Sequence, residues 1–196
     1  MEILSKIVKL NFTSENSAIL CVDCQNGFTL RCPKELPVDG TNEIWIKSIN
    51  VFLESAKKSG YLIVASKDDH PENHTSFQTW PPHCVKGTYG NKLFIKTYDF
   101  VVKKGITKNT DSYSAFFEDF KSKNDNGLEE YLNKNKIKKL IIFGLAGDVC
   151  VLETIKTAIN KGFDILVIND FIKSVNKKSI KDILKSEKLN DKIKII

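Results

Sequence analysis

The chain has 196 residues, enough for one domain with a full core between layers and too few for a second independent one. Its formal net charge of +6 comes from lysines scattered over the whole length, with Arg31 the only arginine, whereas nucleic-acid binders cluster charge on one face and use arginine for bidentate contacts to bases and phosphates. No run reaches the roughly 18 apolar residues of a membrane span, MEILSKIVKLNF has no signal-peptide core, and five irregularly spaced cysteines make no disulfide framework, so the expectation is a cytoplasmic protein with free thiols.

In chain order, residues 1–16 suggest no more than an added edge strand. AILCVD (18–23) is apolar on successive residues, as in a strand covered on both faces. Cys21 and Cys24 have the spacing of a redox pair, but residues three apart on a strand face opposite sides, so both are read as packing residues. TNEIWIKSINVFLESAKKSG (41–60) sets Ile44, Ile46, Ile49, Phe52, Leu53 and Ala56 largely along one helical side and ends at a glycine that can cap it. YLIVAS (61–66) is the second strand. From Lys67 to about Ile95 neither the helical nor the strand period appears, and structureless stretches beyond about 12–15 residues in a compact domain are usually functional or disordered; the histidines and Trp80 beside its prolines argue for a loop that is tied down. DFVVKK (99–104) is the third strand, 128–136 a helix, KLIIFGL (139–145) the fourth strand, 149–161 a helix ending at Gly162, DILVIND (164–170) the fifth strand and the terminal KIKII a further short one. The alternation predicts an α/β fold over residues 1–196: a three-layer, Rossmann-like, mostly parallel sheet with helices on both faces.

In such sheets ligands bind beyond the carboxyl ends of the strands. Asp23 closes the first strand, Asp68 follows the second, Lys103 and Lys104 close the third, and Cys150 sits just past the fourth, where GLAGDVC turns into a helix. A thiol in a first helical turn sees the positive end of the macrodipole and unpaired N–H groups, which favour the thiolate and offer an oxyanion hole. The competing reading of Cys150 is a buried packing cysteine; Gly144, Gly147 and Asp148 beside it favour the nucleophile.

A cysteine nucleophile usually takes a histidine as its base. All three histidines of this chain, however, lie in one stretch, HPENHTSFQTWPPHC (70–84). Asp68 and His70, two apart in an extended segment, point to the same side, and His74 and His83 can fold back to complete a set of one carboxylate and three imidazoles. Such a set suits Zn²⁺, Fe²⁺ or Mn²⁺ with positions left open for water or substrate. With the histidines so committed, Asp23 remains to accept the thiol proton and Lys104 to stabilise thiolate and carboxylate together.

VDCQNGF (22–28), KDDHPENHTSFQTWPPHCVKGTYG (67–90), KKG (103–105) and GLAGDVCV (144–151) resemble, in the same order, the motifs of the nicotinamidase/pyrazinamidase family within the isochorismatase-like cysteine hydrolases. The metal-binding stretch is the specific one, because relatives acting on other substrates generally lack it. The resemblance implies Asp23 as general base, Lys104 as triad lysine and Cys150 as nucleophile, with Asp68, His70, His74 and His83 holding one divalent metal, zinc foremost and iron or manganese as alternatives. It also implies a cis peptide at Leu145–Ala146, an oxyanion hole from the N–H groups of Ala146 and Cys150, and a ring pocket at Phe28, Trp80 and Tyr113. Lys103 competes with Lys104 for the triad role, and Lys104 is preferred because it directly precedes the glycine.

The activity implied is hydrolysis of nicotinamide to nicotinate and ammonia through a thioester, as in NAD salvage, with no nucleic-acid or membrane partner and a homo-oligomer left open. The sequence departs from the family pattern at Gly27, usually aspartate, at Gly147, usually threonine, and at Val149, usually aromatic or histidine. These leave the triad intact and bear on the polarity of the rim. Two other readings stay open: the same triad acting on another small amide such as a carbamoyl or ureido compound, and a metal-stabilised thiol sensor using Cys21, Cys24 and Cys84 without turnover.

Overall fold

The computed structural model describes residues 2–121 and 123–196. Among the described residues there are eight strands: β1 (Ser17–Val22), β2 (Leu62–Asp68), β3 (Phe100–Lys104), β4 (Phe117–Asp119), β5 (Asn124–Asp125), β6 (Lys139–Leu145), β7 (Asp164–Lys173) and β8 (Ile193–Ile195). Six of them form one sheet in the order β3-β2-β1-β6-β7-β8, and every neighbouring pair is parallel. β4 and β5 pair separately and antiparallel. The helices are α1 (Glu2–Lys9), α2 (Glu43–Lys58), α3 (Leu128–Lys134), α4 (Leu152–Asn160) and α5 (Ile180–Ser186).

The chain moves outward from β1 to β3, then returns to β6 and moves outward the other way. The rule that parallel crossovers are right-handed, applied to this strand order, puts α2 on one face of the sheet and α4 and α5 on the other, a three-layer α/β arrangement. The order reverses between β1 and β6, so a crevice opens at their carboxyl ends. β1 is buried along its whole length and β6 at all but its first residue, which is why both read as continuous apolar runs rather than alternations. Gly144 is needed where they meet: a Cβ there would lie 2.0 Å from the Val22 carbonyl oxygen.

Two expectations are corrected. Residues 1–16 add a helix and not an edge strand: Ile7 is fully buried, and Glu2 and Lys6 pair one turn apart. Ile44 does not join the buried side of α2 but is 81% exposed; Trp45 takes its place and donates from Nε1 to the Asp170 carbonyl at 2.9 Å. The rest of the expected face, Ile46, Ile49, Phe52, Leu53 and Ala56, is buried, with the Phe52 ring against Phe143 of β6 and Phe171 of β7. Among the described residues no helix is long and apolar enough to cross a membrane.

Candidate active site

Asp23 leaves the end of β1 with φ +45°, fully buried. Ser66 of β2 fixes it twice, accepting its N–H at 3.2 Å and donating to Oδ1 at 2.7 Å. Lys104, the last residue of β3, is 1% exposed, and its Nζ lies 2.9 Å from Asp23 Oδ2, 2.5 Å from Asp68 Oδ1 and 3.7 Å from Cys150 Sγ. Lys103 points the other way, as alternation along a strand requires, and pairs with Asp69 at 2.9 Å. Lys104 is therefore the lysine beside the thiol.

Cys150 is buried in a π-helical turn (Gly147–Val151) between a cis Leu145–Ala146 peptide and α4. Asp148 ties this turn to the segment after β7 by accepting the N–H groups of Val175 at 2.9 Å and Asn176 at 2.8 Å. Asp23 Oδ2 is close to the Lys104 ammonium but not aligned for a hydrogen bond with it, which leaves that oxygen available for the thiol proton.

Electrostatics set the resting protonation. Burial pushes the Cys150 thiol well above its ordinary pKa; Lys104 pulls it down, while Asp23 and Asp68 add to the rise. Burial thus favours the protonated thiol against the helix start and Lys104, which favour the thiolate. Burial likewise raises Asp23 against the pull of Lys104. Lys104 stays charged because Asp23 and Asp68 outweigh its burial. Burial also works against the Asp68 carboxylate, but Lys104 and then His70 and His83 hold it below the ordinary range.

Asp68 has a second role. While Oδ1 meets Lys104, Oδ2 lies 3.6 Å from His70 Nε2 and 4.0 Å from His83 Nε2. His70 Nδ1 donates to the Gly105 carbonyl at 3.0 Å and His83 Nδ1 to the Pro81 carbonyl at 2.7 Å, so each ring presents Nε2 to the aspartate. The donor atoms of Asp68, His70 and His83 lie within 4.8 Å of one another, all buried. Two imidazoles and a carboxylate converging on one point fit a divalent transition metal.

His74 stands beside this set rather than in it. Its ring stacks on His70 at 3.8 Å, Nδ1 accepts the Ser76 N–H at 3.2 Å and Nε2 faces the Thr110 carbonyl at 2.6 Å. The donor atoms of His70, His74 and Asp111 also lie within 4.8 Å of one another, a second set able to hold a metal that shares His70 with the first; Asp111 was not singled out from the sequence.

The long loop is tied down by two amides that the sequence reading passed over. Gln25 grips the Asp68 peptide from both sides, accepting its N–H at 2.8 Å and donating to its carbonyl at 2.8 Å. Asn91 Nδ2 donates to Asp68 O at 2.9 Å, Asp69 Oδ1 at 3.0 Å and Cys84 O at 3.0 Å. Gln25 lies in the quoted VDCQNGF, but no periodic signal announces a side chain reaching across to another loop.

Above Cys150 opens a small cavity. Phe28, Trp80 and Tyr113 line it together with Ala146, Asp68, His70, His83 and Lys104, and Leu36, Val38, Val149 and Val175 complete an apolar wall. Trp80 Nε1 donates to the Tyr113 hydroxyl at 3.4 Å, and Phe28 packs against His83 at 5.3 Å between ring centroids. The lining suits one small, largely apolar molecule.

The profile of the isochorismatase domain matches residues 17–186. The chain is 31% identical over 182 residues to the nicotinamidase of Escherichia coli (strain K12), a match that covers 81% of this chain and 84% of that protein. It is similar to the crystal structure of the pyrazinamidase of Pyrococcus horikoshii in complex with zinc, with TM-score 0.79 and 30% identity over 92% of this chain and 98% of that one. PnC1 from L. infantum, solved in complex with nicotinate, gives TM-score 0.80 and 31% identity over 94% of this chain and 93% of that one.

Proposed function

This chain belongs to the isochorismatase family, and from that premise we propose that it is a nicotinamidase-type amidohydrolase, converting nicotinamide to nicotinate and ammonia with Cys150 as nucleophile and so returning the pyridine ring to NAD synthesis. The observation that carries the reading is that Asp68 serves both groups in the cavity. One of its oxygens faces Lys104 of the Asp23–Lys104–Cys150 set, and the other faces His70 and His83.

Asp68, His70 and His83, with His74 alongside, would hold a divalent metal, zinc foremost and iron or manganese as alternatives, which would supply a Lewis acid at the wall of the pocket where a pyridine ring would bind. Phe28, Trp80 and Tyr113 wall the ring so that its carboxamide carbon faces Cys150. Asp23 Oδ2 takes the thiol proton and Sγ attacks the carbonyl carbon. Both groups are raised by burial, and moving the proton between them converts one buried anion into another without adding a charge. Lys104 stays protonated beside both partners and stabilises whichever carries the charge.

The N–H groups of Ala146 and Cys150 receive the developing oxyanion, each worth roughly 100-fold or more in rate. Asp23 then hands its proton to the departing amine, which leaves as ammonia. It next takes a proton from the water that attacks the thioester, and returns it to Sγ as the carboxylate product departs.

The test is ammonia release from nicotinamide by the purified, zinc-loaded protein, with and without chelator, and with Cys150→Ala as control. The expected result is release that is lost in the variant and suppressed by chelation. Release retained by Cys150→Ala removes that residue from the role. Activity confined to carbamoyl or ureido compounds in a parallel panel reassigns the substrate.

A further inference from the structure

The corner after His83 is held from two sides. Cys84 adopts φ +49°, a left-handed conformation that is disfavoured for any residue carrying a Cβ. Its N–H donates to Glu35 Oε2 at 2.9 Å, and its carbonyl accepts from Asn91 Nδ2 at 3.0 Å. Glu35 comes from a distant segment and reaches this corner through space that two glycines leave open. A Cβ on Gly27 would lie 2.4 Å from Glu35 Oε2, and one on Gly90 would lie 1.9 Å from Oε1.

The backbones on either side of this carboxylate are themselves joined. Gly27 N–H donates to the Gly90 carbonyl at 2.8 Å, and Leu36 N–H to the Gly27 carbonyl at 3.1 Å. The wedge therefore locks together the turn that carries Phe28, the strap that ends at Asn91, and the corner that carries His83. The N–H accepted by Glu35 belongs to the peptide plane between His83 and Cys84, so this bond also fixes ψ of His83.

We infer that Glu35 is a positioning residue for the metal face: by holding Cys84 in its left-handed turn, it sets the direction in which His83 presents its imidazole to Asp68 and His70. The role rests on reading Asp68, His70 and His83 as metal ligands. It also gives a physical use to Gly27, since any side chain there would displace the carboxylate.

The experiment compares wild type, Glu35→Ala, Glu35→Gln and the double variant Glu35→Ala/Cys84→Gly. Two quantities are read: zinc affinity by competition with a chromogenic chelator, and amide exchange at Cys84 in metal-free protein. Glu35→Ala is expected to weaken zinc binding roughly 10- to 100-fold, as outer partners of metal ligands do, and to speed exchange at Cys84. Glu35→Gln, whose side-chain carbonyl still accepts the N–H, should stay within a few-fold of wild type. Adding Cys84→Gly to Glu35→Ala should recover most of the lost affinity, because glycine takes positive φ without support.

Wild-type zinc affinity in Glu35→Ala, unchanged exchange at Cys84, or a double variant no better than the single one overturns the inference. A wild-type protein that takes up no zinc overturns the metal reading and this role with it. That failure is distinguishable, because the exchange comparison needs no metal.

Discussion

At the scale of single residues, Gly105 shows how one backbone position controls a side chain proposed as a metal ligand. It has φ +59°, a Cβ there would lie 2.5 Å from His70 Cε1 and 2.6 Å from Nδ1, and its carbonyl takes the Nδ1 proton at 3.0 Å. Gly105 thus fixes both the rotamer and the tautomer of His70. Gly105→Ala is expected to lower zinc affinity roughly 10- to 100-fold in a competition titration, because the methyl group displaces the ring and strains the backbone. Asp23 carries a pH prediction of definite sign. As the proposed base it would work deprotonated, so kcat/KM should fall as pH drops through its pKa, which burial raises. The acid limb of the pH–rate profile should therefore lie above the ordinary carboxylate range. Asp23→Asn should abolish that limb and cost about 10²- to 10⁴-fold in kcat; an acid limb that survives the substitution assigns it to another group.

Among the elements, the strands buried on both sides were the most legible: KLIIFGL is β6 residue for residue, because a continuous apolar run bounded by charge leaves little freedom. The ends of β1, β3 and β6 could be read from the same runs to within a residue, while β2 runs two residues past the expected Ser66 and ends at Asp68 itself, because Lys67 and Asp68 pair with Lys103 and Lys104 of β3 and not through an apolar pattern. Of the short helices, α3 and α4 were expected at 128–136 and 149–161, whereas α1 and α5 were not legible. α1 has eight residues and so gives its apolar period little room to repeat. α5 has seven, although Ser179 caps it by accepting the Asp182 N–H at 3.1 Å and Ile180, Ile183 and Leu184 are buried. Glu35, Gln25, Asn91 and Asp111 were invisible for another reason: each acts by a long reach between irregular segments, which leaves no pattern in the sequence. Caps are more predictable in their energetics. Asn42 opens α2 by accepting the Trp45 N–H at 3.0 Å, so Asn42→Ala should cost about 0.5–2 kcal/mol. Urea denaturation should show this as a lower midpoint with an unchanged m-value.

Across the whole molecule, the crevice between β1 and β6 collects residues from the ends of β1, β2 and β3, from the turn after β6 and from the loop that holds all three histidines. Because that loop is closed onto the sheet through Asp68, Gln25 and Asn91, occupancy of the Asp68–His70–His83 face should stabilise the fold as a unit. A ligand that binds only the native state adds about 2.7 kcal/mol when its free concentration is 100 times Kd. In a domain of this size that corresponds to roughly 5–10 °C in Tm. Scanning calorimetry with zinc and then with excess chelator should show a shift of that order in wild type and in Cys150→Ala, which keeps the donor set while removing the nucleophile. His70→Ala should lose the shift while still unfolding cooperatively, because its ring contributes one of the three donors and little of the core. If the zinc-dependent shift persisted in His70→Ala, the stabilising ion would be bound elsewhere, with the free cysteines as the next donors to test, and the histidine loop would be held by its amides alone.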